Sequence, residues 1–280
     1  MNPSRRARRI KLLLASVVAL AACGGSQTTQ SVVSHPPRRL SMSTTSTSRP
    51  PTSQRLESRP GAGSSTRPAG NWAIPGTVID NLDTAPGSPY RGGEKVVALT
   101  FDDGPSPTYT PLILRVLVAD RAPASFQIIG EHGSAYPGIL ADEAEDGMSL
   151  VNHTWSHVDL TTLPGPEWAS EIVRTDDLIE DVTGHPVRCL RPPYDLTNAA
   201  VLTGLRRLRL AQLGWDIDPS DYLKPGVPVI VSRVLSALHP GAIIIMHDGG
   251  GDRSQTVAAL PSLISGIRAR GYRIVPVCGG

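Results

Sequence analysis

Short apolar runs alternate with helical patterns from Lys95 onward, and this alternation limits the possible folds more than any other feature. Seven runs have the length and composition of strands, and six segments between them have the apolar periodicity of helices. The predicted strands are 96–101, 125–129, 148–152, 187–191, 209–215, 242–246 and 272–277. The predicted helices are about 107–120, 136–146, 167–183, 197–208, 228–239 and 254–270. The pattern predicts a parallel sheet, either a (β/α) barrel or a doubly wound sheet.

Ionisable side chains cluster where the predicted strands end. Five of the seven strands are followed by such residues: Asp102-Asp103, His153 and His157, Arg191, Asp216 to Asp221, and His247-Asp248. Because the carboxyl ends of parallel strands meet at one edge, we expect a single active site there.

The pair Asp102-Asp103 closes the first strong strand. Successive side chains of a strand point to opposite faces, so both carboxylates can share one site only if the strand ends or twists there. Gly104-Pro105 supplies that break, since Gly permits unusual φ and Pro removes a ladder donor. Taken alone, the segment fits a metal site and a helix-capping turn equally well.

His153 and His157 lie four residues apart, and on one helical turn both imidazoles would point the same way. Many such pairs are surface or capping histidines, but this one follows a buried-type strand and has carboxylates at a neighbouring strand end. Two histidines and one carboxylate leave open positions on a metal, as in catalytic sites. Zinc is the expected ion, with cobalt or manganese as alternatives.

The amino-terminal quarter differs from the rest in charge and composition. Residues 1–70 hold 11 basic residues and one acid, a net charge of +10, and residues 71–280 hold 16 bases and 24 acids, a net charge of −8. An acidic folded part argues against nucleic-acid binding. Residues 24–71, rich in Ser, Thr, Pro and Arg, are predicted to be a disordered tether, and residues 72–280 to be the folded domain.

The first 23 residues are typical of an export signal, with a basic start and an apolar segment too short for a permanent span. Leu20-Ala21-Ala22-Cys23 resembles the bacterial lipobox, which predicts lipidation at Cys23 and anchoring to the outer face of the cell membrane. The alternative is ordinary signal cleavage and secretion into the cell wall. In an oxidising compartment Cys189 and Cys278 could pair, but nothing in the sequence brings them together, so we expect two separate thiols.

The motifs at the strand ends resemble the polysaccharide deacetylases, the carbohydrate esterase family that shares the NodB-homology domain. All five family motifs occur in order within about 95–277: Thr100–Pro105, His153–His157, Arg191–Tyr194, Asp218–Tyr222 and Ile245–His247. The resemblance implies an α/β fold, a deformed (β/α) barrel of about seven parallel strands. The chain departs from the usual family pattern at Gln127, Asp195, Tyr222 and Ile245, which affects the pocket wall rather than the reacting groups.

The resemblance also implies roles for individual residues. Asp103, His153 and His157 would bind the metal. The catalytic group would be Asp102 as base, His247 as acid, Arg191 holding Asp102, and Asp221 orienting His247. The substrate-binding residues would be Tyr194, Tyr222, Ile245 and Trp215, although the two aromatic residues Tyr222 and Trp215 are equally consistent with plain packing.

The expected function is metal-dependent removal of N-acetyl groups from an extracellular N-acetylglucosamine polysaccharide, most simply peptidoglycan, by a monomeric protein that releases acetate. Within the family, chitooligosaccharides, a biofilm glucosamine polymer and acetylated xylan remain alternative substrates. From another class, the domain could be a non-catalytic glycan-binding module. The presence of every predicted ligand, acid and base argues against that alternative.

Overall fold

Parallel strands and helices alternate along the chain in the computed structural model, which describes residues 72–278. The strands are β1 Val78–Ile79, β2 Val96–Gly104, β3 Ser125–Ile128, β4 Ser149–Asn152, β5 Cys189–Leu190, β6 Ala211–Leu213, β7 Ala242–His247 and β8 Arg273–Ile274. The helices are α1 Thr110–Ala119, α2 Gly130–Ala135, α3 Pro137–Glu145, α4 Gly165–Thr183, α5 Ala199–Arg207, α6 Val227–Ala237 and α7 Ser254–Ala269. The predicted signal 1–23 with Cys23 and the predicted tether 24–71 lie outside the described residues.

The strands form one curled, partly open barrel. Seven of them follow the order β1-β6-β5-β4-β3-β2-β7, β8 pairs with the start of β2, and all the strand pairs are parallel. The segment after β6 approaches the far edge, where the Ile245 N–H donates to the Ile217 carbonyl at 3.0 Å. The predicted deformed barrel of parallel strands is therefore confirmed. Across residues 72–278, no helix has both the length and the apolarity to cross a membrane.

Both faces of the sheet are apolar, as the unbroken apolar runs predict. In β2, Val97, Leu99 and Phe101 pack in a core beneath the helices, whereas Val96 and Ala98 pack in a second core on the other face. The second core also includes side chains from the segment before β2, beginning with Ile79, and from the chain end, as far as Cys278. Apolar side chains thus fill the inner face below the level of Asp102, and the strand carboxyl ends remain for polar groups.

Three local predictions were wrong. Residues 72–94, in which no strand was predicted, contain the short strand β1, which pairs with β6 through Val78 and Gln212. Helix α2 was not predicted, because six residues with two glycines carry little helical signal. Its first residue must be small, since a Cβ on Gly130 would lie 2.4 Å from the ring of Trp155.

The third concerns the cysteines, which are not separate thiols. Cys189 in β5 and Cys278 at the chain end form a disulfide across a sequence separation of 89, with their Cα atoms 5.8 Å apart. Residues 275–278 return across the inner face of the sheet, and the Val275 N–H donates to the Val97 carbonyl at 2.9 Å. The spacing of the cysteines in the sequence does not indicate that the chain end crosses the sheet in this way.

Candidate active site

A bulge at the end of β2 places both aspartates on one site. Asp102 pairs with Gln127 and Gly104 with Ile128, so Asp103 is the extra residue, and its φ is 74°. Such a bulge re-aims a side chain that would otherwise point to the opposite face. The strand therefore twists out of its ladder at the carboxylates, one of the two arrangements expected from the sequence.

The two histidines lie in a loop, and the predicted helical turn was wrong. Residues 153–157 follow β4 without regular structure, with positive φ at Thr154 (67°) and His157 (58°). The Thr154 N–H donates to Asn152 Oδ1 at 2.7 Å, which fixes the first turn of the loop. The rings still converge, because His153 Nε2 lies 3.5 Å and His157 Nε2 lies 3.2 Å from Asp103 Oδ1.

These three side chains could hold a metal ion. One donor atom from each of Asp103, His153 and His157 lies within 4.8 Å of the others. His153 Nδ1–H donates to the Arg191 carbonyl at 2.7 Å, so its Nε2 lone pair faces the site. Burial favours a higher pKa for Asp103, but hydrogen bonds from His153 and His157 and the charges of His153 and His247 outweigh it and hold the pKa well below its usual range. An ionised carboxylate and a fixed imidazole fit a divalent cation.

Asp102 is held by a fully buried guanidinium. Arg191 Nη1 donates to Asp102 Oδ1 at 2.6 Å, to Thr100 Oγ1 at 2.9 Å and to Gln127 Oε1 at 3.2 Å. Its Nη2 donates to the Gly214 carbonyl at 2.8 Å. Such a charge-assisted bond is a strong one and holds the carboxylate in one orientation. The sequence had marked Gln127 only as a departure from the family pattern, and the structure shows it as a partner of Arg191.

On the opposite wall, His247 at the end of β7 pairs with buried Asp221. His247 Nδ1–H donates to Asp221 Oδ1 at 2.8 Å, and the backbone N–H of His247 donates to Oδ2 at 3.0 Å. The Thr256 hydroxyl also donates to Oδ2, at 2.6 Å. Burial acts to lower the pKa of His247, but the bond to Asp221 and the charges of Asp102, Asp221 and Asp103 raise it overall. Sequence reasoning missed Thr256, which lies on α7 outside every motif.

One pocket of about 370 Å³ collects the predicted residues. Nine of them line it directly: Asp102, Asp103, His153, His157, Tyr194, Trp215, Tyr222, Ile245 and His247. Arg191 and Asp221 lie directly behind Asp102 and His247. The Tyr194 ring lies 4.8 Å from that of His157, and the Tyr222 ring lies 5.3 Å from that of His247. The structure therefore brings together all the predicted site residues except Cys23, which lies outside the described residues.

The comparisons with known proteins agree with this geometry. A family model described as polysaccharide deacetylase matches residues 90–213. A chitooligosaccharide deacetylase from Bradyrhizobium sp. (strain ANU 289) is 38% identical over 197 residues, covering 66% of this chain and 90% of the relative. The chain belongs to the polysaccharide deacetylase family. The resemblance inferred from its five motifs is thereby confirmed.

Two further relatives extend the match. A peptidoglycan-N-acetylglucosamine deacetylase from Bacillus cereus is 36% identical over 186 residues, covering 66% of this chain and 87% of the relative. The crystal structure of a peptidoglycan N-acetylglucosamine deacetylase in complex with 4-naphthalen-1-yl-N-oxidanyl-benzamide matches with a TM-score of 0.66 at 27% identity. That match covers 72% of this chain and 90% of the other.

Residues outside the five motifs support this deacetylase site. His132 on α2 donates from Nδ1 to the Asp103 carbonyl at 2.9 Å and so braces the bulge. Gly249 must be glycine, because a Cβ there would lie 1.9 Å from that carbonyl oxygen. Arg253 also lines the pocket, and its Nε–H donates to the Gly249 carbonyl at 2.6 Å. Neither Gly249 nor Arg253 had been predicted as a site residue.

The acids left without a chemical role lie around the site. Asp248 is fully buried and accepts a hydrogen bond from the Thr110 hydroxyl, and burial raises its pKa to about 8. Asp216 accepts from the Ile243 N–H at 2.7 Å and so ties the segment after β6 to β7. Asp195 has a φ of 57°, a left-handed turn position that aspartate tolerates better than most residues.

Proposed function

We propose that the protein is a metal-dependent N-deacetylase that acts on N-acetylglucosamine units of peptidoglycan. One observation carries the proposal: a possible metal site, a braced carboxylate and a His–Asp pair line the same pocket. The relatives named as peptidoglycan and chitooligosaccharide deacetylases support the reaction class. Peptidoglycan is favoured over chitooligosaccharides, a biofilm polymer or acetylated xylan because the amino terminus predicts export to the cell wall.

Asp103, His153 and His157 would hold the ion, for which zinc is proposed on ligand type, with cobalt or manganese as alternatives. A divalent ion there supplies Lewis-acid charge for the acetamide carbonyl and makes a water molecule easier to deprotonate. The backbone N–H of Tyr194 is proposed to donate to the developing oxyanion. Ile245, Trp215 and Tyr222 would enclose the acetyl group and one face of the sugar.

The remaining steps are two proton transfers, one by Asp102 on one wall of the pocket and one by His247 on the opposite wall. Asp102, held by Arg191, takes a proton from the attacking water as the water oxygen bonds to the acetyl carbon. His247 then gives its Nε2 proton to the sugar nitrogen as the carbon–nitrogen bond breaks. Asp221 keeps that imidazole oriented and protonated. The products are acetate and a free amino sugar.

Acetate release from isolated cell wall tests the proposal. The metal-loaded protein should release acetate and leave sugars without N-acetyl groups, whereas Asp102→Asn, matched in size, should release little. Parallel assays on chitooligosaccharides and acetylated xylan rank the alternative substrates. Equal inertness of wild type and variant on amide and ester substrates would favour the non-catalytic glycan-binding module.

We also propose that the protein is a monomer anchored to the outer face of the membrane by a lipid on Cys23. The basic, apolar and small-residue order of residues 1–23 supports this location, and the +10 charge of residues 1–70 favours anionic surfaces. Detergent partitioning of the wild type against Cys23→Ala, with mass analysis of the mature amino terminus, tests the anchor. If the wild type partitions as a soluble protein and is cleaved at another position, secretion would replace the lipid anchor as the proposed location. Sedimentation of the detergent-free domain tests the monomer.

A further inference from the structure

Helix α4 packs along the loop that carries the two histidines of the metal site, and no residue of this helix has an assigned role. In this histidine loop (residues 153–157), Ser156 donates from both its N–H and its hydroxyl to Glu171 Oε2, at 2.8 Å and 3.1 Å. The Arg174 guanidinium lies 3.7 Å from the centre of the Trp155 ring. One carboxylate oxygen and one stacked cation of α4 therefore hold the second half of the loop.

The same helix holds the start of the histidine loop through Asn152. The Nδ2 group of Asn152 donates to Asp176 Oδ1 at 2.7 Å and to the Ile172 carbonyl at 2.9 Å. These two bonds orient the amide so that its oxygen faces the loop and accepts from the Thr154 N–H at 2.7 Å. Because Thr154 has a φ of 67°, a costly conformation for a β-branched residue, the turn requires such support.

The two histidines depend on this support to different extents. His153 has an anchor of its own, the bond from its Nδ1–H to the Arg191 carbonyl. For His157, the only polar contact of the ring within residues 72–278 is the approach of Nε2 to Asp103. A metal-binding histidine usually donates its other ring N–H to an acceptor that fixes the ring. The orientation of the His157 ring therefore depends on its edge contact with Tyr194 and on its own backbone.

The carboxyl group of Asp176 is unfavourable for folding where it lies. Burial, together with the charges of Glu180 and Asp177, raises its pKa to about 7 against the opposing effect of the bond from Asn152. A raised pKa means that the fold destabilises the ionised form, so above that pH a neutral side chain would make the folded state more stable. The stability of α4 therefore does not account for this acid, whereas the bond to Asn152 does.

We infer that Glu171 and Asp176 are positioning residues for the metal-binding histidine loop. Glu171 acts on His157 through Ser156, and Asp176 acts on the turn between the two histidines through Asn152. Neither acid lines the pocket. The inference rests on the proposed function, because it assumes that the site binds a divalent ion, and it gives both acids a share in the affinity and coordination geometry of that ion.

Paired substitutions separate the bonds from the bulk of the side chains. Glu171→Gln and Asp176→Asn keep an oxygen that can accept the same bond, whereas Glu171→Leu and Asp176→Leu remove it. The matched control is Asp177→Leu, because Asp177 is an exposed acid of the same helix and takes part in none of these bonds.

The assay is the zinc affinity of the full-length protein at pH 8, measured by competition with a chromophoric chelator. The absorption spectrum of the cobalt-loaded protein reports the arrangement of the ligands. Glu171→Leu should bind zinc about tenfold less tightly, the lower end of the effect of groups that bond to ligands directly, and its cobalt spectrum should change. Asp176→Leu should lose about threefold, because the Ile172 carbonyl still holds Asn152. Glu171→Gln, Asp176→Asn and Asp177→Leu should bind zinc like the wild type.

Thermal unfolding of the metal-free variants at pH 8 distinguishes positioning from a purely structural role. A structural contact alone would lower the melting temperature and leave the zinc affinity of the folded protein unchanged. Asp176→Asn should melt at or above the wild-type temperature, since it removes a buried charge and keeps the bond to Asn152.

A double-mutant cycle tests whether Glu171 acts through Ser156. Ser156→Ala removes only the hydroxyl bond, so it should weaken zinc binding by about threefold in the wild type and should add no loss in Glu171→Leu. Additive losses would overturn the role of Glu171. If Glu171→Leu does not fold, an unchanged zinc affinity in Ser156→Ala would overturn it instead.

Unchanged zinc affinity and cobalt spectra in folded Glu171→Leu and Asp176→Leu would overturn the inference, and so would an equal loss in Asp177→Leu. Acetate release from cell wall, measured on the same samples, separates the inference from the proposed function. A wild type that binds zinc but releases no acetate, with zinc affinity reduced in the two leucine variants, would reject the function and keep the positioning roles. An active wild type whose leucine variants bind zinc normally would do the reverse.

Discussion

Replacing Asp221 by asparagine should move the basic limb of the pH–rate profile to lower pH. Asp221 accepts from His247 Nδ1–H at 2.8 Å, and its second oxygen accepts from the His247 backbone N–H and from Thr256. An asparagine keeps the size of the side chain but removes the negative charge. It also places an NH₂ group against a donor on one side or the other. Both changes weaken His247 as a proton donor at neutral pH.

The magnitude follows from the kind of hydrogen bond that is lost. A bond to a charged group contributes about 1.5–3 kcal/mol and a neutral one about 0.5–1.5 kcal/mol. The midpoints of these ranges differ by about 1.25 kcal/mol, which corresponds to about one pKa unit. The pKa of His247 should fall by that amount, since Asp221 is among the causes that raise it. At pH values above the basic limb, kcat/KM of Asp221→Asn should be about tenfold lower than that of the wild type.

The same change should affect stability in one pH range. Because the folded-state pKa of His247 is raised, its contribution to the free energy of unfolding is fully present below its unfolded pKa, about 6.5, and is lost as pH rises through the folded value. The loss of stability in Asp221→Asn should therefore be larger at pH 6 than at pH 9.

The assay is kcat/KM for acetate release from pH 5 to 10, with metal content measured on each sample. The matched control is Asp218→Asn, because Asp218 lines the same pocket but is exposed and accepts from the Ser220 N–H rather than from His247. Its limb should stay within a few tenths of a pH unit of the wild type. A basic limb that does not move in a folded, metal-loaded Asp221→Asn would refute the assignment of His247 as the acid.

Three further outcomes are expected. Asp103→Ala should lower bound metal by elemental analysis while His247→Ala keeps metal and loses most turnover; a metal-replete Asp103→Ala would reject that ligand. Gly249→Ala should lower both metal content and turnover, because its Cβ would meet the Asp103 carbonyl oxygen at 1.9 Å, and unchanged values would show that the bulge yields easily. Arg191→Met should cost about 3–5 kcal/mol in denaturant unfolding, since it strands the buried carboxylate of Asp102, and a loss below 1 kcal/mol would contradict that coupling.

The sequence predicted the location of the site because that location depends on topology. Once strands alternate with helices, the carboxyl ends of all strands lie on one rim, whatever the exact register. Asp102, His153, Arg191 and His247 each lie at the end of a different strand or directly after it, and the structure brings them to one pocket. Errors of a few residues in strand length do not change that outcome.

The partners behind the site could not be predicted, since they depend on packing distances rather than on order along the chain. Gln127 reaches Arg191 only because β3 pairs with β2 in the observed register. Thr256 reaches Asp221 because α7 starts beside the end of β7. The helical turn expected for His153–His157 failed for a similar reason, since Asn152 and the first residues of α2 bond the loop backbone.

The disulfide depends both on the order of the strands along the chain and on how the chain end packs. Cys189 stands two residues before Arg191 in the chain, and β5 is only two residues long, with a single registered pair to β4. Few ladder hydrogen bonds therefore hold the strand that positions the guanidinium. The bond to Cys278 ties that strand to the chain end packed on the inner face of the sheet. The support for Asp102 thus extends through Arg191 and β5 to the last described residue of the chain, a connection that no motif contains.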